Sequence, residues 1–188
     1  LPGRISHEIM MVKPQYKYIE KKASTPAAVL ILLYPIKDKW HFFLTKRTNN
    51  VEHHKGQISL PGGMLEKGES HKKAAIRETF EELGVQSRDI NIIGPLTPLY
   101  IPISNFKIFP FVGWLKSAPK LNIQSKEVSK VFSPSIYSLT DPKTKKIKDS
   151  ILLGQKVQIP FFNLKNEVVW GATSMILSEF KKILKGIT

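Results

Sequence analysis

The sequence feature that most constrains this chain is residues 63–85, which read GMLEKGESHKKAAIRETFEELGV. The stretch predicts a helix that begins near Ser70. Its charges run against the helix dipole, because Lys72 and Lys73 lie near the N-terminus while glutamates crowd the C-terminal half. The dipole favours the opposite order by about 0.3–1 kcal/mol for each exposed charge. We therefore expect a cation to offset the acidic end of this helix.

Helical spacing sorts the side chains of this stretch into two faces. It predicts an apolar face of Ile76, Phe80 and Leu83 that packs in a core. Ala74 and Ala75 are expected on the polar side, where their small size leaves room for another segment or a substrate. That polar side is predicted to present three carboxylates to one point: Glu78, Glu81 and Glu82.

A metal site and a plain solvated surface are the two interpretations of such an acidic cluster. Three glutamates on a helix are, by themselves, more typical of a solvated surface. Magnesium, however, takes oxygen ligands and completes its shell with water and substrate phosphates. The fixed distances from the cluster to Gly63, Glu69, Arg77 and Gly84 favour the metal site.

The same stretch resembles the Nudix box, G-x5-E-x7-R-E-U-x-E-E-x-G-U, where U is apolar. It matches every fixed letter, and only Thr79 departs, at the first apolar position. The resemblance implies a loop–helix–loop that binds Mg²⁺ or Mn²⁺ and hydrolyses a nucleoside diphosphate linked to another moiety. It implies metal ligands at Glu78, Glu81, Glu82 and the Gly63 carbonyl, and catalytic roles for Glu78, Glu81, Arg77, which would orient the carboxylates, and Glu69, a supporting acid.

Residues 44–63 resemble the signature of the coenzyme A pyrophosphatases, L-T-x-R-[SA]-x3-R-x3-G-x3-F-P-G-G. Thr48 and Leu60 are mild departures from it, whereas Glu52 reverses the charge of an arginine. The resemblance implies hydrolysis of coenzyme A or its derivatives to 4′-phosphopantetheine and 3′,5′-ADP. Seven positions match in register: Leu44, Thr45, Arg47, Gly56, Pro61, Gly62 and Gly63.

The polar loop upstream of the box is the predicted substrate-binding region. Cationic and hydrogen-bonding groups next to an acidic metal site suit a pyrophosphate. A solvated loop is the alternative, and for His53 or His54 taken alone it is the better one. The predicted substrate-binding residues are Lys46, Arg47, His54 and Gln57.

The composition and charge of the chain exclude some classes of function and favour others. The 188 residues carry 29 basic and 15 acidic side chains, for a formal charge of +14, which attracts nucleotides, RNA or acidic lipids without choosing among them. The absence of cysteine excludes thiol chemistry and disulfides and fits a cytoplasmic location. No apolar run is long enough for a membrane span, so we expect no membrane partner. The expected partner is a nucleotide-type small molecule rather than nucleic acid, bound by a monomer or homodimer.

The rest of the chain predicts an α/β fold. Residues 27–34 form a continuous apolar run, typical of a strand buried on both faces. A strand–turn–strand follows, with its turn at Ser104 and Asn105, and Gly171 opens an apolar C-terminal helix. With the box resemblance, we expect a Nudix-like α/β/α sandwich around a mixed β-sheet. Residues 1–188 are expected to form one domain, with an irregular or partly helical arm at 1–23 and the box at 63–85.

Three other functions remain open from the sequence. A broader hydrolase acting on ADP-ribose or dinucleotides shares every box residue, and Glu52 favours it. An RNA 5′-pyrophosphohydrolase would use the positive charge. A catalytically silent nucleotide- or RNA-binding module would be expected to lose acids that this box keeps. Glu127 is a candidate extra acid outside the box, with a surface ion pair as its alternative role.

Overall fold

The computed structural model describes residues 1–13, 23–48, 56–152 and 154–187. Within them the helices are α1 Gly3–Glu8, α2 His71–Leu83, α3 Ile136–Thr140 and α4 Gly171–Ile187, with single helical turns at Ser87–Asp89 and Pro142–Thr144. The strands are β1 Thr25–Ile36, β2 Lys39–Phe42, β3 Leu44–Arg47, β4 Ile58–Ser59, β5 Gly62–Met64, β6 Asn91–Pro95, β7 Leu99–Ile101, β8 Phe106–Trp114, β9 Val128–Phe132, β10 Lys145–Leu152, β11 Gln155–Leu164 and β12 Glu167–Val169.

The main sheet is mixed, as expected. Its strands follow the order β2-β1-β8-β6, with β5 added to β1 and β7 added to β8. The central pair β1 and β8 is parallel, whereas the other pairs are antiparallel. Two smaller antiparallel sheets, β10-β11-β12 and β4-β3-β9, complete the strands.

Strand β1 separates two cores, because successive side chains of a strand point to opposite faces. Leu30 and Leu32, both 0% exposed, pack in the cluster that contains α2 residues. Ile31, also 0% exposed, packs with Ile176 and Leu177 of α4. The expected sandwich, with the box helix on one side of the sheet and the C-terminal helix on the other, is therefore confirmed.

The first residues are more ordered than an irregular arm. Helix α1 packs against α4, and Met10 is fully buried. The carboxylate of Glu179, on α4, accepts hydrogen bonds from the Gly3 N–H at 3.1 Å and bonds His7 Nε2 at 2.9 Å. Buried hydrogen bonds to Glu179 therefore anchor residues 3–10 to the C-terminal helix.

Helix α2 begins and ends as the sequence predicts. The Ser70 hydroxyl accepts a hydrogen bond from the Lys73 N–H at 3.4 Å at its start. Gly84 closes it in the left-handed region, at φ 73°, with its N–H donating to the Phe80 carbonyl at 2.7 Å.

The predicted faces of α2 were wrong in part. Phe80 is 45% exposed, whereas Ala74, Ala75, Thr79 and Leu83 are all buried against the sheet. Small residues let the helix approach β1 closely, so they and not the phenylalanine form the packed face. The Thr79 hydroxyl can lie there because it donates to the Ala75 carbonyl at 2.7 Å.

Candidate active site

Arg77 is the centre of the hydrogen-bond network on the box helix. Its Nε and Nη2 each donate to the Glu69 carboxylate at 3.1 Å. Its Nη1 donates to Glu78 and to Glu81, both at 2.9 Å, and Nη2 also donates to the Met64 carbonyl at 2.9 Å. This guanidinium is the cation that offsets the acidic half of the helix. It also ties that half to the loop before it.

Glu69 and Arg77 stabilise each other's charge. The hydrogen bonds from Arg77 lower the pKa of the Glu69 carboxyl, with a smaller contribution from the Glu66 N–H. The same acid raises the pKa of Arg77 above its ordinary value, helped by Glu78 and Glu81. Glu69 therefore holds the arginine in place, and its role as a supporting acid in catalysis stays a prediction.

Gly63 leaves the space that the Glu78 carboxylate fills. A Cβ at position 63 would lie 2.4 Å from that carboxyl carbon, closer than real Cβ contacts come. Burial raises the pKa of Glu78, which the Arg77 guanidinium partly counteracts. A side chain at position 63 would therefore displace the Glu78 carboxylate from the place that it occupies beside β5.

Glu82 lies on the buried side of α2 and differs from the other acids. It is 2% exposed, and its Oε2 has no hydrogen-bond partner in the described part of the chain. Burial raises its pKa to about 8, while the positive charge of Arg47 and the Gly62 backbone amide act in the opposite direction. Glu82 is therefore far more buried than Glu81, although the charge of Glu78 still contributes to its raised pKa.

Arg47 is the counterpart of Glu82. It lies on β3, near enough for its charge to lower the pKa of that carboxyl. The Arg47 Nε is itself buried without a partner among the described residues. Buried polar atoms are normally hydrogen-bonded, so these two atoms are open to partners beyond the described residues.

The segment before β9 brings another acid to this place. The Asn122 N–H donates to the Leu83 carbonyl at 2.9 Å, and the Gln124 N–H donates to the Glu82 carbonyl at 3.1 Å. This capping of the helix C-terminus positions Glu127, whose charge contributes to the raised pKa of Glu78 and Glu82. Across the described ranges, Glu127 forms no ion pair, so the alternative of a surface ion pair is not supported.

The predicted substrate-binding residues separate in the structure. Lys46 and Arg47 are neighbours on β3, and the pairing of β3 with β9 shifts register between them. Lys46 bonds Glu167 of β12 at 3.3 Å, whereas the charge of Arg47 acts on Glu82. Gln57 lies beside β3, where its carbonyl accepts from the Arg47 N–H at 3.0 Å. His54 lies outside the described residues, as does Glu52.

The predicted metal ligands do not form one group as their side chains stand. Within residues 1–13, 23–48, 56–152 and 154–187, no three His, Asp or Glu side chains are arranged to hold an ion. The Arg77 guanidinium hydrogen-bonds to the carboxylates of Glu78 and Glu81 instead. The donor chemistry nevertheless fits a hard divalent cation, because the acids supply oxygen ligands and Glu82 keeps one oxygen without a partner.

The family model of the NUDIX domain matches residues 24–152, more than half of the chain. The chain belongs to the Nudix family. It is therefore a hydrolase of the kind that acts on pyrophosphate bonds, and such hydrolases generally use divalent metal ions.

Curated relatives agree with this assignment. Nudix hydrolase 3 of Caenorhabditis elegans is 28% identical over 181 residues, covering 88% of this chain and 75% of the relative. Nudix hydrolase 15, mitochondrial, of Arabidopsis thaliana is 29% identical and covers 80% of this chain and 55% of its own length. Peroxisomal coenzyme A diphosphatase ndx-8 of C. elegans is 32% identical over 109 residues, covering 56% of this chain and 47% of the relative.

Solved structures share the fold of this Nudix chain. RenU, a Nudix hydrolase from M. smegmatis, superposes with a TM-score of 0.63 at 13% identity and covers 88% of both chains. An Ap4A hydrolase from C. elegans gives a TM-score of 0.51 at 19% identity, over 59% of this chain and 80% of its own. Among the described helices, none is long and apolar enough to cross a membrane.

Proposed function

We propose that this Nudix hydrolase cleaves the pyrophosphate bond of coenzyme A or its derivatives, giving 4′-phosphopantetheine and 3′,5′-ADP with Mg²⁺ or Mn²⁺ as cofactor. One observation carries the reaction type. The Glu82 carboxylate and the Nε of Arg47 are buried, their charges interact, and among the described residues each group has one atom without a partner. A metal–pyrophosphate complex has the two charges that would complete both groups, because a cation suits Glu82 and a phosphate oxygen suits Arg47.

The first glycine, the arginine and four acids of the box each have a part in this proposal. Glu78, Glu81, Glu82 and the Gly63 carbonyl would hold the cation, which would neutralise phosphate charge and lower the pKa of a bound water. Arg77 holds Glu78 and Glu81 and would release them in part as the ion binds. Glu69 keeps Arg77 next to the helix through that exchange. Arg47 would donate to a non-bridging oxygen of the diphosphate.

Coenzyme A is supported as the substrate by two independent likenesses. One is the coenzyme A pyrophosphatase signature in residues 44–63. The other is the 109-residue match to the peroxisomal coenzyme A diphosphatase, at 32% identity. Glu52 argues in the other direction, because the signature has an arginine there and a carboxylate cannot bind phosphate in its place.

A broader nucleoside-diphosphate hydrolase acting on ADP-ribose or dinucleotides is the second candidate, and the Glu52 charge reversal is the feature that favours it. The +14 charge favours a third, an RNA 5′-pyrophosphohydrolase.

A substrate panel separates the candidates. The full chain would be assayed with Mg²⁺, with Mn²⁺ and with chelator against coenzyme A, ADP-ribose, a diadenosine polyphosphate and triphosphorylated RNA. We expect metal-dependent release of 3′,5′-ADP, with the highest kcat/KM for coenzyme A. A higher kcat/KM for any other member of the panel would contradict the substrate assignment, and equal rates with chelator would contradict the metal.

The variant Glu52→Arg tests the substrate assignment from within the chain. It restores the charge that the signature carries. We expect its kcat/KM for coenzyme A to rise while that for ADP-ribose does not. A rise for ADP-ribose alone would show that position 52 selects a different substrate.

A further inference from the structure

A groove of about 530 Å³ lies between α1, α4 and the β10–β11 hairpin, on the α4 side of the molecule. Its floor is apolar, because Met10 is 0% and Phe162 is 1% exposed. Ile9, which is 43% exposed, lines it from α1. Four lysines also line the groove: Lys145, Lys181, Lys182 and Lys185.

The lysines concentrate positive charge beside an apolar surface. In the described part of the chain none of the four forms an ion pair. Lys181 donates to the Asp141 carbonyl at 3.2 Å and lies 5.2 Å from the centre of the Phe162 ring. Burial and the nearby Lys185 lower the pKa of Lys181, whereas Asp141 raises it. An anion at the groove would relieve this repulsion.

Large aliphatic side chains project from the elements around the groove. Ile5 is 69% exposed and lies one helical turn before Ile9, on the same face of α1. Ile147 is 60% exposed and follows Lys145 by two positions, on the same face of β10. Ile187, at the end of α4, is 79% exposed. The elements that carry the groove lysines thus also carry exposed isoleucines.

We propose that this groove and its isoleucines dock on an anionic phospholipid bilayer, with the lysines on the headgroups and the isoleucines in the interface. Lysines near an acidic membrane surface each favour binding, and exposed aliphatic side chains add insertion to that attraction. A soluble phosphate or nucleotide would engage the lysines but would leave the isoleucines unexplained. A strand of nucleic acid would be expected to meet aromatic stacking groups rather than isoleucines.

Docking by this face is compatible with catalysis. The groove belongs to the α4 side of β1, whereas Glu82 and Arg77 belong to the α2 side. The active site would therefore remain open to solvent. Surface docking needs no spanning segment, so it departs from the sequence-based expectation of no membrane partner. The proposal does not depend on the proposed substrate.

Vesicle co-sedimentation of the full chain tests the proposal. We expect binding to phosphatidylcholine vesicles that contain phosphatidylserine, and weak binding to phosphatidylcholine alone. Each lysine should contribute about fivefold to the partition coefficient, so K182Q/K185Q should lower it by about 20–30-fold. The matched control is K37Q/K39Q, which removes the same charge from two exposed lysines of the β1–β2 hairpin.

The control separates a specific face from the general effect of a +14 protein. An equal loss in both double variants would overturn the proposal, as would equal binding to both kinds of vesicle. Vesicle-independent dimerisation that K182Q/K185Q abolishes would also overturn it, because the groove would then bind a second copy. Unfolding curves and hydrolytic rate would confirm that both variants remain folded.

A single fluorophore tests which side chains enter the bilayer. The chain has no cysteine, so Ile9→Cys gives a unique labelling site for a polarity-sensitive dye. Ile93→Cys is the control, because Ile93 is equally apolar and 65% exposed but lies on β6, away from the groove. We expect a blue shift with phosphatidylserine vesicles at position 9 only. A shift at position 93, or at neither position, would contradict the docking geometry.

Discussion

Two glutamates are buried on the two sides of the main sheet, and they differ in how their oxygens are satisfied. Glu179, on the α4 side, is 0% exposed and bonds His7 Nε2, the Gly3 N–H and both the N–H and hydroxyl of Thr97, at 2.7–3.2 Å. Glu82, on the α2 side, is 2% exposed and has one oxygen without a partner among the described residues. Within that part of the chain the first carboxylate has all its oxygens bonded, and the second does not.

This difference distinguishes the two buried side chains: burial of Glu179 stabilises the fold, whereas burial of Glu82 leaves an oxygen available for a ligand. A buried charge that is fully hydrogen-bonded can hold separate segments together, as Glu179 holds α1 and residue 97 to α4. A buried charge with an orphan oxygen is unfavourable in the isolated protein. It is retained at a cost in stability that a bound cation would recover.

The largest expected effect separates the two carboxylates by activity. Glu82→Gln keeps the shape of the side chain but removes the charge, and we expect its metal-dependent kcat to fall by at least about 100-fold. Glu179→Gln should leave the rate per folded molecule unchanged. Steady-state hydrolysis of coenzyme A at saturating Mg²⁺ measures both. Similar rates for Glu82→Gln and the parent would remove Glu82 from the proposed metal site.

For the free energy of unfolding we expect the opposite order: substitution of Glu179 should cause the larger loss, and substitution of Glu82 the smaller one. Glu179→Ala leaves the buried His7 and the Thr97 donors without an acceptor, so we expect a loss of about 3–5 kcal/mol in the free energy of unfolding. Urea denaturation followed by circular dichroism measures it. Glu82→Gln in the same buffer without metal is the control and should show no loss. A mild effect at Glu179 would mean that α1 contributes little to the stability of α4.

Local features of both regions could be predicted from the sequence. The ends of α2 follow from Ser70 and Gly84, and the buried strand β1 follows from its continuous apolar run. The turn before β8 was also predicted, and Asn105 adopts a left-handed φ of 55° there. Each of these depends on residues that are close in the sequence.

Contacts between distant residues could not be predicted in this way. His7 and Glu179 are 172 positions apart, and nothing in the pattern around either one indicates the other. The charge interaction of Arg47 with Glu82 was likewise missed, although each residue was selected for a different reason. The sides of α2 were assigned wrongly because hydrophobicity favoured Phe80, while the closeness of the helix to β1 favoured alanine and threonine.

Glu82 should also make the stability of the fold depend on pH. The pKa of the Glu82 carboxyl is about 8 in the folded protein, against an ordinary value of 4.5. Between these values the unfolded chain has lost the proton that the folded chain keeps, so rising pH destabilises the fold. The cost is absent below pH 4.5 and complete above pH 8.

Glu82→Gln should therefore match the parent in stability near pH 4.5 and exceed it above pH 8. The gain should be on the order of 5 kcal/mol in metal-free buffer. Urea unfolding across this range measures the difference, and Mg²⁺ should reduce it by stabilising the parent. A difference that is constant with pH would show that the Glu82 carboxyl titrates normally in the folded chain.

The smallest expected change in stability comes from removing a single hydrogen-bond donor. Thr97→Val is close to isosteric and removes the hydroxyl that donates to Glu179 at 2.7 Å, so we expect a loss of about 1.5–3 kcal/mol. Thr79→Val on α2 is the matched control. Its buried hydroxyl also donates at 2.7 Å, but to the Ala75 carbonyl, a neutral acceptor in the helix. That change should cost clearly less. Equal losses in the free energy of unfolding would show that the charge of Glu179 does not strengthen the hydrogen bonds that it accepts. Glu82 and Glu179 would then differ only in whether a ligand can reach them.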